Sequence, residues 1–307
     1  MTDLASAIFS GDARAIARGI SLVESAGDDG PSLVREVFAQ TGRAFLVGVT
    51  GAPGAGKSTL VDGLVSRWRK AGRTVGVIAV DPTSPFSGGA LLGDRVRMQS
   101  HAQDAGVFIR SMATRGHLGG LARATADAAL VLDASGKDVV TIETVGVGQD
   151  EVEVARMADV SIVVLVPGMG DDVQALKAGV MEIADIFVVN KSERDGADRT
   201  VAEIDSLLSL HAYEEGEWRP PVVRTEATTG HGLDEVVATI ERFRTQAGMV
   251  ESRRRARAST QLQSILADRL MKQVALRLTG VALEQLVDRI AARTLDPYSA
   301  ANEILRE

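Results

Sequence analysis

Between residues 42 and 246, short apolar runs alternate with stretches of helical periodicity. Val, Ile and Leu fill the runs with few polar interruptions, which is typical of parallel strands that helices cover on both faces. The runs span residues 45–50, 75–80, 107–110, 138–145, 160–166, 186–190 and 221–225. The alternation predicts repeated βα units, and therefore an α/β fold with a mostly parallel central sheet flanked by helices.

Both ends of the chain carry helical periodicity without such runs. The helical stretches are residues 2–41, 251–278, 280–294 and 297–306. We therefore predict three parts, which are an N-terminal helical extension (1–41), a central α/β domain (42–246) and a C-terminal helical arm (247–307).

The composition is that of an ordinary globular protein, with 45% hydrophobic and 24% charged residues in a chain of 307. A formal net charge of −7 argues against a nucleic-acid partner, because such proteins usually carry a basic face. The sequence does contain one basic cluster, formed by Arg253, Arg254, Arg255 and Arg257. At the start of a long helical pattern, this cluster is interpreted as a solvated helix face.

Some classes of protein are excluded by what the sequence lacks. Cysteine is absent and the four histidines show no ligand spacing, so disulfides are impossible and a zinc or nickel site of the His/Cys type is not expected. No apolar run approaches the roughly 18 residues that span a bilayer. Asp3 also stands where a secretory signal carries positive charge. We expect a soluble, cytoplasmic protein with no membrane partner.

Residues 51–58 match the complete phosphate-loop pattern G-x-x-x-x-G-K-[ST]. An apolar run precedes this loop and a helical stretch follows it, which is the context the pattern requires. In such a loop, backbone N–H groups surround the β- and γ-phosphates, the lysine (here Lys57) reaches them, and the hydroxyl (here Ser58) ligates Mg²⁺. The candidate nucleotide-binding residues are Gly51, Ala52, Pro53, Gly54, Ala55, Gly56, Lys57, Ser58 and Thr59. The fold prediction narrows to a P-loop NTPase.

Two aspartates follow the second apolar run. Asp81 comes directly after that run, at the predicted carboxyl edge of the sheet. Ligands of α/β folds bind at this edge, so Asp81 is a candidate Mg²⁺ ligand or water-orienting group. An aspartate that only opens a turn before Pro82 is the alternative. Asp94 begins the next helical stretch, and either a functional role or an N-cap would account for it.

Glu143 lies near the carboxyl end of the fourth run, and Gly146 follows three residues later. This D/E-x-x-G arrangement is typical of switch-type nucleotide hydrolases, in which the carboxylate holds the Mg²⁺ shell and the glycine N–H senses the γ-phosphate. A strand followed by a glycine-rich turn is the alternative. Gln149 is a candidate for positioning the attacking water.

The sixth run ends in Asn190 and Lys191 follows it, and these two residues begin the guanine-reading pattern N-K-x-D. In that pattern the Asn bonds the ring edge, the Lys stem covers the purine face, and the Asp accepts hydrogen bonds from the base. Glu193 stands at the last position, and its extra methylene predicts guanine recognition that is looser than with aspartate. Glu226 and Ala227 follow the last run and are candidates for offering a backbone N–H to the guanine carbonyl. An Asn-Lys pair that merely ends a strand in a turn is the alternative.

Together these motifs resemble the MeaB/ArgK/MMAA-type GTPases, in the metallochaperone branch of the P-loop GTPases. The resemblance covers nearly the whole chain. The matching strings are residues 48–58, 80–84, 88–94, 115–120, 143–149, 190–191 and 295–298. Glu193 departs from the aspartate that is usual in that family.

The resemblance implies a GTPase, converting GTP to GDP and phosphate, that acts as a chaperone for an adenosylcobalamin-dependent acyl-CoA mutase, typically methylmalonyl-CoA mutase. Hydrolysis would gate cofactor loading and protect the mutase from inactivation. The resemblance also implies a homodimer built through the C-terminal helices, and a Mg²⁺ shell that includes Asp81, Asp94 and Glu143. Residues 167–179, a polar surface loop by their sequence alone, would form a switch loop. Its candidate residues are Asp171, Asp172, Gln174 and Lys177.

Three other functions remain open. A kinase would pass the γ-phosphate to a protein or small molecule, and ArgK-type proteins were once labelled as kinases. A nickel-insertion GTPase shares the general fold, but the absence of cysteine counts against it. A nucleotide-gated scaffold would hydrolyse GTP only incidentally. Hydrolysis by the isolated protein is expected to be slow because no arginine finger is assigned, although Arg110 and Arg115 are predicted to lie on loops near the site.

Overall fold

The structure is a computed structural model, and it describes most of the chain. The described residues are 2–25, 27–81, 99–101, 103–113, 120–144, 157–168, 183–246, 248–277 and 280–306.

The centre of the fold is one parallel sheet of seven strands in the order β3-β2-β4-β1-β5-β6-β7. The strands are β1 (Phe45–Gly51), β2 (Val75–Asp81), β3 (Val107–Ala113), β4 (Val139–Thr144), β5 (Val160–Leu165), β6 (Ile186–Asn190) and β7 (Val222–Thr225). Each of the seven apolar runs forms one of these strands, and every pairing is parallel. The predicted α/β class is confirmed.

Helices lie before, between and after the strands. They are α1 (Asp3–Phe9), α2 (Ala13–Glu24), α3 (Asp29–Val37), α4 (Lys57–Lys70), α5 (Gly120–Ala134), α6 (Ala197–Leu208), α7 (Leu233–Thr245), α8 (Met249–Arg277), α9 (Gly280–Ala291) and α10 (Pro297–Arg306). Short 3₁₀ turns occur at Phe38–Gln40 and Gln99–His101. The predicted terminal helices are present, with boundaries close to those read from the sequence.

Hydrophobic cores cover both faces of the sheet. Along β1, Val47 and Val49 contribute to the core that includes Leu64 and Trp68 of α4 and residues of α7. Leu46, which directly precedes Val47 and points to the other face, contributes to the opposite core, which is formed largely by α1–α3 and α5. Because both faces of the strand are covered, its sequence carries no polar alternation.

The N-terminal helices share their core with the sheet, where Ile8, Ile16 and Ile20 pack in the cluster that includes Leu132 and Val140. The chain divides into two compact units, Met1–Ala256 and Arg257–Glu307. The domain divisions at 41/42 and 246/247 stay predictions. Among the described residues, no helix is both long enough and apolar enough to cross a membrane.

Arginines at the start of α8 pair with buried aspartates at the amino ends of two strands. Arg253 pairs with Asp185, just before β6, and Arg254 pairs with Asp159, just before β5. Arg254 also donates to the carbonyls of Gly42 (2.9 Å) and Ala44 (3.1 Å). The interpretation of the basic cluster as a solvated helix face is therefore wrong for Arg253 and Arg254, because buried carboxylates require a compensating charge. Arg255 is exposed.

Candidate functional site

The phosphate loop joins the carboxyl end of β1 to the first turn of α4, and its glycines make the connection sterically possible. Gly51, Gly54 and Gly56 have φ angles of 139°, 78° and 90°. A Cβ on Gly51 would lie 2.1 Å from the Val164 carbonyl oxygen, and one on Gly56 would lie 2.4 Å from Asn190 Nδ2. Glycine is therefore required at both positions by conformation and by space.

Lys57 and Ser58 are buried at the start of α4. Lys57 Nζ donates to the carbonyl oxygens of Gly51 (2.6 Å) and Ala52 (2.9 Å), so its ammonium is held inside the loop. Ser58 Oγ donates to Glu143 Oε1 at 2.6 Å. Because β1 and β4 are paired neighbours, the phosphate loop and Glu143 meet at the same edge of the sheet.

The donor set at this edge fits Mg²⁺. Ser58 supplies a hydroxyl oxygen and Glu143 a buried carboxylate in direct contact, and hard oxygen ligands are what Mg²⁺ prefers. Asp81 ends β2, which pairs with β4, so its backbone lies at the same edge. The side chain of Asp81 is outside the described part of the structure. Within the described residues, no group of three or more His, Cys, Asp or Glu side chains gathers into a metal site.

The N-K motif lies against the phosphate loop. Asn190 Nδ2 donates to the Ala55 carbonyl oxygen at 2.8 Å, and Lys191 Nζ donates to the Gly54 carbonyl oxygen at 2.8 Å. Asn190 Oδ1 accepts from the Thr225 hydroxyl and from the Ala227 backbone N–H, both at 3.1 Å. One buried amide thus joins the phosphate loop to the segment after β7.

The other predicted base-site residues lie in the turns that follow β6 and β7. Glu193 is exposed in the turn after β6. The backbone N–H of Glu226 donates to the His231 carbonyl oxygen at 3.1 Å, and that of Ala227 donates to Asn190. Both N–H groups that were candidates for the guanine carbonyl therefore have partners inside the protein. Their contact with the base stays a prediction.

Several predicted site residues lie outside the described residues. They are Asp94, Gly146, Gln149, Asp171, Asp172, Gln174 and Lys177, and the same holds for Arg115. The expectation that Arg110 lies on a loop near the site is wrong. Arg110 lies within β3 and pairs with Glu24 of α2, because β3 is an edge strand whose polar side chains can reach a neighbouring helix.

Two threonine contacts at the site were missed by the sequence analysis. The Thr144 hydroxyl donates to Thr50 Oγ1 at 3.0 Å, which joins β4 to β1 beside the phosphate loop. Thr225 donates to Asn190. The only available signal was a threonine near the carboxyl end of three apolar runs, and β-branched residues are too common in strands for that signal to be specific.

A glycine-rich loop between a central parallel strand and a helix, with Lys and Ser at the helix start, defines the class of P-loop nucleotide hydrolases. The family model described as methylmalonyl-CoA mutase-associated GTPase MeaB matches residues 16–278. The chain therefore belongs to the MeaB family of GTPases. Its enzyme class is that of a GTP hydrolase, and the resemblance drawn from the motifs is confirmed.

Individual relatives agree with this family. A protein of Pyrococcus abyssi, named provisionally as a GTPase, is 51% identical over 302 residues, which cover 97% of this chain and 93% of the relative. GTPase ArgK of Escherichia coli is 40% identical over 244 residues, which cover 76% of this chain and 73% of the relative. The mouse mitochondrial protein named methylmalonic aciduria type A homolog is 35% identical over 269 residues, which cover 85% of this chain and 65% of the relative.

A solved structure has the same fold over nearly the whole chain. It is a crystal structure described as that of an LAO/AO transport system kinase. The TM-score is 0.76 at 27% identity, with 99% of this chain and 96% of that chain covered.

Proposed function

We propose that this GTPase acts on an adenosylcobalamin-dependent acyl-CoA mutase, with methylmalonyl-CoA mutase as the first candidate. Hydrolysis of GTP would gate cofactor loading and protect the mutase from inactivation. The observation that carries the nucleotide part is the contact of the N-K motif with the phosphate loop through Asn190 and Ala55. The family description, which names methylmalonyl-CoA mutase, supports the partner.

Each part of the site takes one task in this proposal. Residues 51–59 hold the phosphates through backbone N–H groups and Lys57, whose ammonium already lies among loop carbonyls. Ser58 and Glu143 would hold Mg²⁺, together with Asp81 and Asp94, and the ion would neutralise charge on the β- and γ-phosphates. Catalysis then consists of positioning and charge stabilisation by Lys57 and backbone donors, with water attacking the γ-phosphate in line. Gln149 would orient that water.

The remaining predicted residues select the base and report the nucleotide state. Asn190, Lys191, Glu193, Glu226 and Ala227 would surround guanine. Gly146 would sense the γ-phosphate, and the loop with Asp171, Asp172, Gln174 and Lys177 would relay the nucleotide state to the mutase.

We expect slow GTP hydrolysis by the protein alone, because no arginine finger is assigned in its site. The rate should rise several-fold when methylmalonyl-CoA mutase from the same source is added. Phosphate release from GTP and from ATP, each with Mg²⁺, would be measured with and without the mutase. Bovine serum albumin at equal mass serves as the protein control. A rate that ignores the mutase would contradict the partner assignment while leaving the GTPase class intact.

The kinase alternative has one observation in its favour, the description of the similar crystal structure as a transport system kinase. The same assay can separate the two functions if the γ-phosphate is radiolabelled. Label that appears only as inorganic phosphate supports hydrolysis, and label that stays on a protein or small molecule supports a kinase.

We also propose a homodimer formed through the C-terminal helices. Leu262, Leu266 and Leu270 recur every four residues along α8 and are all exposed, as are Leu283 and Val287 on α9. Apolar side chains at this spacing form one helix face, and exposed faces of this kind commonly mark protein interfaces.

Leu266→Glu is expected to convert the dimer to a monomer, because a charge at the centre of an apolar face cannot be buried without a partner. Light scattering coupled to size-exclusion chromatography measures the mass directly. Gln263→Glu adds the same charge at an exposed polar position of α8 and should leave the dimer intact. A monomeric wild-type protein, or a dimer that survives Leu266→Glu, would refute this interface.

A further inference from the structure

Arg67 lies in the second half of α4 and contacts the turn between β7 and α7. Its Nη2 donates to the Gly230 carbonyl oxygen at 2.8 Å, and its Nε pairs with Asp234 Oδ1 at 2.8 Å. Its Nη1 donates to the Gly63 carbonyl oxygen, within α4, at 3.2 Å. One planar guanidinium thus links the helix that begins in the phosphate loop to the turn that follows β7, a geometry that lysine cannot reproduce.

The turn held by Arg67 is the one that begins with the base-site candidates Glu226 and Ala227. The Glu226 carbonyl oxygen accepts from the N–H of Thr229 (3.1 Å) and of Gly230 (2.9 Å), and the Glu226 N–H donates to the His231 carbonyl oxygen. Gly230 therefore donates to Glu226 through its N–H and accepts from Arg67 through its carbonyl. A shift of Gly230 would move Glu226 and Ala227 with it.

The packing around this contact leaves little room for adjustment. A Cβ on Gly63 would lie 2.4 Å from Leu233 Cδ1, and one on Gly230 would lie 3.0 Å from Arg67 Nη2. Gly232 has a φ of 76°, and a Cβ there would lie 2.0 Å from the Arg224 carbonyl oxygen. The turn and α4 therefore fit closely at the position where the guanidinium binds.

We propose that Arg67 is a positioning residue for base selection. The contacts form a closed ring, in which α4 holds the turn through Arg67, the turn holds Asn190 through Ala227, and Asn190 holds the phosphate loop that leads back into α4. Because Arg67 holds the turn at Gly230, it also restrains Glu226 and Ala227, which would face guanine. The inference rests on the proposed base-site role of Asn190 and Ala227.

The two bonds at the turn differ in solvent exposure, which lets them be separated by mutation. The Asp234 side chain is 87% exposed whereas that of Arg67 is 22% exposed, so water and salt screen the ion pair and its contribution to stability is small. The bond to the Gly230 carbonyl is the one that ties the turn to α4. Asp234→Ala, which removes only the ion pair, is therefore a matched control for Arg67 variants.

Arg67→Ala is expected to weaken binding of GDP about tenfold, the scale of one lost charge-assisted hydrogen bond, and to leave binding of ADP almost unchanged. Fluorescent analogues of GDP and ADP would be titrated against wild-type protein, Arg67→Ala, Arg67→Lys and Asp234→Ala. The KM for GTP should rise with the dissociation constant, while kcat at saturating GTP should stay within about twofold. Arg67→Lys, the milder variant, should keep the thermal midpoint and still lose guanine preference, and Asp234→Ala should match the wild type.

Two results would overturn the inference and can be told apart. If the wild type prefers guanine and Arg67→Ala and Arg67→Lys keep that preference, Arg67 is purely structural, whatever happens to the thermal midpoint. If the wild type itself binds GDP and ADP equally, the base-site assignment in the proposed function fails, and the role of Arg67 fails with it.

Discussion

Lys57→Ala is expected to lower kcat/KM for GTP hydrolysis by about 100- to 1,000-fold, the loss that follows removal of one preorganised charge or hydrogen-bond donor from a developing anion. Lys57 is buried, and its ammonium is fixed by the carbonyls of Gly51 and Ala52. A neighbouring side chain therefore cannot replace it. Phosphate release from GTP with Mg²⁺ measures the effect.

Lys70→Ala provides the control for Lys57→Ala, because Lys70 is an exposed lysine at the other end of the same helix. It removes one positive charge from α4 without touching the loop, and its kcat/KM should stay within about twofold of the wild type. If both variants lost activity equally, the loss would reflect the charge or stability of α4 rather than a role at the phosphates.

Lys57→Ala also tests whether GTP hydrolysis is needed for the proposed chaperone function. A Lys57→Ala protein that no longer hydrolyses GTP should fail to protect the mutase from inactivation. Full protection by this variant would support the alternative of a nucleotide-gated scaffold, in which hydrolysis is incidental.

Arg253→Met is expected to lower the free energy of unfolding by about 3 kcal/mol near neutral pH, because removing one member of a buried ion pair leaves the other charge uncompensated. Asp185 is buried and loses its partner, while methionine keeps the helix propensity of the position. Denaturant unfolding of Arg253→Met is compared with that of Arg255→Met, which removes an exposed arginine two positions along α8.

The pH dependence of that difference tests its cause. Burial raises the pKa of the Asp185 carboxyl, and the Arg253 guanidinium opposes the rise. A carboxyl whose pKa is higher in the folded state than in the unfolded state destabilises the fold when it is charged. The free energy of unfolding therefore increases as the pH falls from the folded-state pKa to the unfolded-state pKa. Without Arg253 the pKa rises further. The difference in the free energy of unfolding between Arg253→Met and Arg255→Met should therefore be largest above the folded-state pKa of Asp185 and become smaller in acid.

A loss that is the same at every pH would contradict this explanation. It would indicate lost packing of the arginine stem rather than an uncompensated carboxylate.

The sheet could be predicted almost completely from sequence, because strands buried on both faces leave an unbroken apolar signal. The exception is β3, which was predicted to end at Arg110 and continues to Ala113. Because β3 is an edge strand, it carries the polar residues Arg110 and Ser111, which interrupt the apolar pattern by which the rest of the strand could have been predicted.

The phosphate loop and the N-K motif could also be found by pattern, because their chemistry constrains residue types within a few positions. Their contact with each other could not. Asn190 and Ala55 are 135 positions apart, and only the strand order brings them together. The ion pairs of Arg253 and Arg254 could not be predicted either, because their aspartate partners precede them by 68 and 95 positions and no local pattern links them.

The shared core of the N-terminal helices and the sheet has a consequence for the order of events during synthesis. Ile8, Ile16 and Ile20 are made first, but their partners Val131 and Leu132 in α5 follow more than a hundred residues later. At typical translation rates that interval is about 5 to 20 seconds, during which these side chains lack their partners in α5. The first three helices can therefore pack against one another as they emerge, but the core that they share with α5 is completed only after α5 has been made.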